Sequence, residues 1–243
     1  MITLKQGDCI KLMQDIPDKS VDMVLCDLPY SMTALDWDCL IPFNELWGQY
    51  NRVIKDNGAI VLFSKQPFTT KLIMSNMQMF KYTLVWVKDN HDNPMMAKKR
   101  FLNITEDICV FYKQQPTYNP QGIREVNKVV RQGRGESLSC KEKRAEEYTQ
   151  TNENYPTNIL SFARDNPQVH PTQKPVELLK YLIRTFTNEN ELVLDNTMGS
   201  GSTGVACVQT NRSFIGMELN TEYFELAKSR IETCLKNKSE GLL

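Results

Sequence analysis

The tetrapeptide Asp27-Leu28-Pro29-Tyr30 follows directly on the apolar run Val21-Asp22-Met23-Val24-Leu25-Cys26, so a buried strand delivers a carboxylate, a proline-fixed carbonyl and an aromatic ring into one cleft. That set suits chemistry on a flat ring bearing an amine. A carboxylate and a free backbone carbonyl each accept a hydrogen bond from an exocyclic NH2 group, and Tyr30 offers a face for the ring to stack on. The same string is also an ordinary turn, because Pro ends a β-ladder and Asp tolerates turn geometry, so a second motif has to decide.

That motif lies downstream, where the short apolar run Glu191-Leu192-Val193-Leu194-Asp195 leads into Asn196-Thr197-Met198-Gly199-Ser200-Gly201-Ser202-Thr203-Gly204 and then a helix through Val205-Ala206-Cys207-Val208. Three glycines at this spacing let the chain turn tightly and approach a ligand, and the helix N-terminus adds free N–H groups and the positive dipole end. A nucleotide-like ligand is implied, although strand-to-helix turns also use glycine for steric reasons alone. Asp195 closes the first strand and Glu218 closes the next, Ser213-Phe214-Ile215-Gly216-Met217, where an acid holds a ribose hydroxyl pair. Val205 and Ala206 stand where a Walker loop needs Lys and Ser or Thr, which disfavours a nucleotide triphosphatase. Gly199-x-Gly201-x-x-Gly204 formally satisfies the dinucleotide fingerprint, but Asp195 is placed to meet a cationic amino group, and no complete second nucleotide-binding half follows.

The elements that must position these groups alternate. Strands are expected near residues 2–4, 21–26, 59–63, 83–88, 107–112, 192–195 and 213–217, and helices near 8–15, 42–54, 67–77, 175–187, 202–210 and 221–236. The pattern predicts an α/β protein, an open and mainly parallel sheet with helices on both faces, whose ligands sit beyond the carboxyl ends of the strands, where Asp27, Asp195 and Glu218 fall.

Taken together, Asp27-Leu28-Pro29-Tyr30 and Asp195 to Gly204 resemble the amino-group DNA methyltransferases that use S-adenosylmethionine, which implies a Rossmann-like methyltransferase fold. The tetrapeptide precedes the cofactor loop with a variable segment between them, the order of the permuted beta group. Gly7-Asp8-Cys9-Ile10 is similar to that group's N-terminal cofactor motif, and His170-Pro171-Thr172-Gln173-Lys174-Pro175 to its linking motif. The resemblance implies catalytic roles for Asp27, Leu28, Pro29 and Tyr30. It also implies cofactor contacts at Asp8, Cys9, Asp27, Lys174, Asp195, Asn196, Thr197, Gly199, Ser200, Gly201, Ser202, Glu218 and Leu219. Two departures stand out: Leu28 where the family more often has a second proline, and Asn196-Thr197 where many relatives have Pro-Phe. The aromatic wall near the cofactor must then come from elsewhere, with Phe214, Phe68 and Tyr223 as candidates. Asp at the head of the tetrapeptide accompanies adenine N6 methylation in this family; N4-cytosine methylation needs the same acceptors and stays open, as do protein or RNA amino groups.

The chain has 243 residues, 41% of them hydrophobic, enough for one large domain with an inserted segment. Zero formal net charge carries no DNA-binding signature, so distribution has to. Between Arg124 and Arg144 seven basic side chains (Arg124, Lys128, Arg131, Arg134, Lys141, Lys143 and Arg144) face three acidic ones. That stretch is read as lacking strand and helix periodicity, within a target-recognition insertion at 114–168 that binds double-stranded DNA; a solvated loop is the competing reading. Lys98-Lys99-Arg100 is a second cluster suited to phosphates. Seven cysteines without a Cys-x-x-Cys pair and only two histidines argue for free thiols and against a metal site. The start lacks a signal pattern and no apolar run approaches a membrane span, so a cytoplasmic protein is expected. The resemblance also admits a homodimer and a cognate restriction endonuclease as partners.

Overall fold

Strands apolar on both faces must be covered on both, and this chain supplies the cover alternately. The computed structural model describes residues 1–30, 40–92, 94–131, 147–165 and 173–242. It divides into a larger unit, Met1–Asn119 with Asn158–Leu243, and a smaller one, Pro120–Thr157.

In chain order the larger unit runs β1 (Ile2–Gln6), α1 (Cys9–Met13), β2 (Val21–Asp27), α2 (Phe43–Val53), β3 (Ile54–Ser64), α3 (Phe68–Ser75), β4 (Phe80–Val87) and β5 (Thr105–Phe111). The smaller unit contributes β6 (Arg124–Arg131) and β7 (Glu147–Glu153). The larger unit resumes with β8 (Ile159–Ser161), α4 (Val176–Phe186), β9 (Leu192–Asp195), α5 (Ser202–Gln209), β10 (Ser213–Glu218) and α6 (Thr221–Ser239). The eight-stranded sheet has the order β1-β10-β9-β2-β3-β5-β4-β8. β5 runs antiparallel to both its neighbours, and the remaining pairings are parallel.

Alternation along the strands sorts the core into two layers. Met23, Leu25, Val61, Ile108, Val193 and Phe214 pack with α4, α5 and α6 on one face. Val24, Cys26, Leu62, Cys109, Leu194 and Met217 face α2 and α3 on the other. Five described cysteines are free thiols, and four of them are buried. No described helix is long and apolar enough to cross a membrane.

Three elements depart from the pattern read in the sequence. β3 begins at Ile54, directly after α2: Asp56-Asn57-Gly58 signals a turn, yet pairing with β2 continues across it as a bulge between Val21 and Met23. β8 is a three-residue edge strand, too short for a periodic signal, and is held by β4. The stretch from Arg124, expected to lack strands, opens with β6, which pairs antiparallel with β7 from Arg124↔Glu153 to Arg131↔Glu147. Polar residues on both strands concealed the alternation. The separate unit is also narrower than 114–168, because Asn119 N–H donates to the Thr185 carbonyl (2.8 Å) and Ile159–Ser161 belongs to the main sheet.

Gly201 shows how tightly the loop after β9 is packed. Its φ is +78°, and a Cβ there would lie 2.8 Å from Ala227 Cβ and 3.0 Å from Ala227 Cα of α6. Left-handed strain of about 1–2 kcal/mol and overpacking of about 1–3 kcal/mol both oppose a side chain. Gly201→Ala is expected to lower Tm by about 5–10 °C in calorimetry. An unchanged Tm would show that α6 yields freely.

Candidate active site

The sheet's strand order reverses between β9 and β2, the position at which an open α/β sheet forms its ligand crevice. Only Met23↔Val193 and Val24↔Leu194 pair across this boundary. Beyond them the strands deliver Asp27 and Asp195 to opposite lips of a cavity of about 710 Å³, a size suited to a small-molecule ligand.

On one lip, Glu218 ties three loops together. Its Oε2 accepts from Gly199 N–H (2.9 Å), its Oε1 accepts from Asn220 N–H (2.8 Å), and its carbonyl accepts from Gly7 N–H (2.9 Å). Asp8 caps α1, accepting from Ile10 N–H at 2.9 Å. Asp195 is buried and accepts from Thr197 N–H at 3.1 Å. Burial pushes its carboxyl up to about 7, against which bonds from Thr203 and Thr197 are insufficient, and among the described residues no cation pairs with it.

The other lip is the tetrapeptide. Tyr30 donates its hydroxyl to Asp27 Oδ1, and its ring packs on Phe68 with centroids 4.8 Å apart. Lys174, just before α4, donates to Asp27 Oδ2 and lies 3.3 Å from Glu106 Oε2 of β5. Lys88 lies 3.2 Å from Glu106 Oε1 and 2.7 Å from Asp92, which also pairs with Lys65 and, at 3.4 Å, with Arg164. Charges therefore alternate from Asp27 outward. Burial raises Asp27 above the usual carboxylate range, Glu106 adds to the rise, and Lys174 opposes it. Burial would lower Lys174, but Asp27 and Glu106 outweigh it and raise the ammonium. Burial and the adjacent Asp27 hold Tyr30 well above its ordinary value, so its hydroxyl remains a donor.

Asn196 and Thr197 connect the lips. Tyr50 donates to Asn196 Oδ1 (2.6 Å), and Thr197 Oγ1 donates to the Asp27 carbonyl (3.0 Å). The polar pair Asn196-Thr197 thus fixes the loop after β9 to the end of β2 and to α2.

Asp27, Leu28, Pro29 and Tyr30 all line the cavity, as do Asp8, Cys9, Lys174, Asp195, Asn196, Thr197, Gly199, Ser200, Ser202, Glu218 and Leu219. Gly201 does not; its missing side chain makes room for α6. Of the aromatic candidates Tyr223 lines the cavity, whereas Phe214 lies in the core against Gly204 and Gly216 and Phe68 backs Tyr30. Sequence reasoning missed Phe63, on the strand next to Asp27, and Glu106, which stands beside Asp107 in the polar start of β5, where two adjacent acids give no signal that one of them reaches Lys174. His170, Pro171 and Thr172 of the linking motif lie outside the described residues.

Lys98, Lys99 and Arg100 are exposed between β4 and β5. In the smaller unit Arg124 and Lys128 are exposed on β6, Lys128 paired with Glu153, and Arg131 ends that strand. Arg134, Lys141, Lys143 and Arg144 fall outside the described residues.

A family model described as DNA methylase matches residues 21–229. The chain is 26% identical over 257 residues to DNA adenine methyltransferase YhdJ of Escherichia coli (strain K12), covering 99% of this chain and 86% of that protein. It is 26% identical over 246 residues to Type II methyltransferase M.HpaI of Haemophilus parainfluenzae, covering 93% and 73%. The crystal structure of M1.HpyAVI in complex with SAM superposes with a TM-score of 0.66 at 26% identity, over 95% of this chain and 100% of that one. The PvuII cytosine-N4-specific DNA methyltransferase shares the fold at a TM-score of 0.71 and 16% identity, over 99% and 93%.

Strand order, crevice and superpositions define the fold of the S-adenosylmethionine-dependent DNA methyltransferases. Within that class, the chain belongs to the DNA methylase family of N6/N4 amino-group methyltransferases.

The charge chain around Asp27 makes a signed prediction. If the unprotonated Asp27 carboxylate is the working form, kcat falls as pH drops through its raised value. Lys174→Met removes the opposing cation and is expected to move this acid limb to higher pH; Glu106→Gln removes a raising charge and should move it lower. Limbs shifting in the same direction in both variants, read from pH profiles of kcat, would refute the assignment.

Proposed function

We propose that this chain transfers a methyl group from S-adenosylmethionine to the exocyclic N6 amine of an adenine flipped out of double-stranded DNA. The carrying observation is that Asp27 and Tyr30 share one cavity with the glycine loop after β9 and with Glu218.

The residues present fit the cofactor. Asp195, buried and without a described cationic partner, suits the ammonium group, and Glu218 retains acceptor capacity for ribose hydroxyls beside its two backbone bonds. Leu219 and Tyr223 line the same region and offer apolar and aromatic surface to an adenine ring. When bound, the cofactor supplies an electrophilic methyl group on a sulfonium sulfur.

The adenine amine is a poor nucleophile because its lone pair is delocalised into the ring. Hydrogen bonds from the amine to the Asp27 carboxylate and the Pro29 carbonyl favour a pyramidal nitrogen, and stacking on Tyr30 keeps its lone pair in line with the methyl group. Lys174 keeps Asp27 an acceptor in a buried setting, and Phe68 holds the Tyr30 ring from behind. Transfer of the methyl group would break its bond to sulfur, leaving a neutral thioether, and the amine proton would pass to Asp27, whose proton affinity burial has raised. The target amine is inaccessible in a paired duplex, so the base must leave the stack. The unit Pro120–Thr157, with the basic residues from Arg124 onward, is assigned to target recognition, and the cluster Lys98 to Arg100 to phosphate contact.

Adenine is favoured by Asp27 at the head of the tetrapeptide and by the similarity to an adenine methyltransferase. Labelled cofactor, unmethylated genomic DNA and mass analysis of the digested nucleosides test the reading. N6-methyladenine is expected, with Asp27→Asn reducing turnover by about 100-fold or more while cofactor binding by calorimetry stays within about threefold. N4-methylcytosine as the product would replace the base assignment, and undiminished turnover by Asp27→Asn would remove Asp27 from catalysis.

A further inference from the structure

The connection between β4 and β5 leaves the carboxyl end of β4, the same sheet edge at which β2 delivers Asp27. Its neck is closed twice, by Lys88 N–H to the Ile104 carbonyl and Asp92 N–H to the Asn103 carbonyl, both 2.8 Å. Its base is the charge chain of the site: Asp92 pairs with Lys88, Lys88 with Glu106, Glu106 with Lys174, and Lys174 with Asp27. Arg164 braces the same base, donating to the Asn90 carbonyl at 3.0 Å. The loop is therefore rooted one ion-pair chain away from the catalytic carboxylate.

Its outer part is built differently. After the 3₁₀ turn Pro94–Met96, bonds from Lys99 N–H (2.8 Å) and Arg100 N–H (3.1 Å) to the Met96 carbonyl set the backbone. Lys98, Lys99 and Arg100 are exposed, Phe101 is 100% exposed, and Met95 is 87% exposed. A wholly exposed phenylalanine next to three consecutive cations is poorly suited to a protein partner's apolar core, because the cations would be desolvated with it. It suits a polyanion with an apolar interior. Cations bind phosphates, and apolar side chains of this kind enter between base steps and fill the place of an unstacked base.

We propose that the segment 94–103 docks on DNA through Lys98, Lys99 and Arg100 and inserts Phe101 into the base stack beside the target, holding open the gap left by the flipped adenine. The charge chain positions this wedge relative to Asp27. The inference rests on the methyltransferase reading above and adds a residue that acts on the duplex rather than on the amine.

The test compares wild type, Phe101→Ala and Phe101→Trp on two duplexes carrying the methylated site, once mapped. One has the target adenine normally paired; the other places it opposite an abasic position, so that little unpairing remains to be done. Phe101→Ala is expected to lose about 30-fold in kcat/KM on the paired duplex and to return within about threefold of wild type on the abasic one. Phe101→Trp should stay close to wild type on both, and Tm and cofactor binding should be unchanged in both variants. Wild-type kinetics of Phe101→Ala on paired DNA, or equal losses on the two duplexes, would overturn the wedge. The methyltransferase reading is tested separately, at the mapping step: wild-type protein that binds cofactor yet methylates no genomic DNA would overturn that reading, an outcome no Phe101 effect can imitate.

Discussion

A partly buried carboxylate at the cavity, held against buried cations, is the constraint from which the surrounding structure is organised. Asp27 is partly buried where β2 meets the cavity, and a partly desolvated anion without a partner is pushed toward taking up a proton and losing acceptor capacity. Lys174 meets that need, but Lys174 is buried too and requires compensation of its own. Glu106 provides it, and Lys88 compensates Glu106 in turn, so the charge is handed outward until Asp92, Lys65 and Arg164 reach the periphery. No single pair in this chain is a self-sufficient stabiliser, since desolvation offsets much of each attraction. The chain as a whole fixes where Asp27 points.

The same constraint explains why the site sits at the strand-order reversal. β9 and β2 pair only through Met23↔Val193 and Val24↔Leu194 and then part, leaving the carboxyl ends of both strands free to present Asp195 and Asp27 across a gap. Two acidic lips would drift apart without a tie, and here the tie is polar. Thr197 bonds to the Asp27 carbonyl and Asn196 to Tyr50 of α2, so the glycine loop is registered against the tetrapeptide from two sides. Asn196 and Thr197 thus make this tie with hydrogen bonds, and Tyr223 and Phe63 supply aromatic lining of the cavity from other elements.

The parallel strands were legible because burial on both faces leaves continuous apolar runs bounded by acids and glycines, and Asp27, Asp195 and Glu218 stood at their ends. Other features depend on contacts between distant parts of the chain. Glu106 reads as a stray acid until Lys174, 68 positions later, is brought beside it. Gly201 and Gly204 read as ligand-approach glycines, yet a Cβ at either would meet α6: Ala227 in one case, Ile231 in the other. β6 and β7 carry too many polar side chains for alternation to show, and the start of β3 hides beneath a turn signal that pairing with β2 overrides. In each case local chemistry suggested one role and tertiary packing selected another.

Asp195 completes the electrostatic argument, because unlike Asp27 it is buried with no described cation. Its carboxyl lies near 7 when folded against an ordinary 3.8. A carboxyl that binds its proton more tightly folded than unfolded contributes fully to stability below the unfolded value and loses that contribution as pH rises toward the folded one. Between about 4 and 7 the ligand-free fold therefore weakens at this residue, and at neutral pH it holds a partly ionised, uncompensated acid. A cation delivered by a ligand removes that penalty, so part of the ligand's binding energy comes from relieving the protein rather than from new contacts alone. The two aspartates differ in setting: Asp27 is compensated by Lys174, whereas Asp195 is buried with no cation beside it among the described residues. The first arrangement fixes a carboxylate in place without a ligand, and the second leaves a buried acid that a cation bound beside it would stabilise.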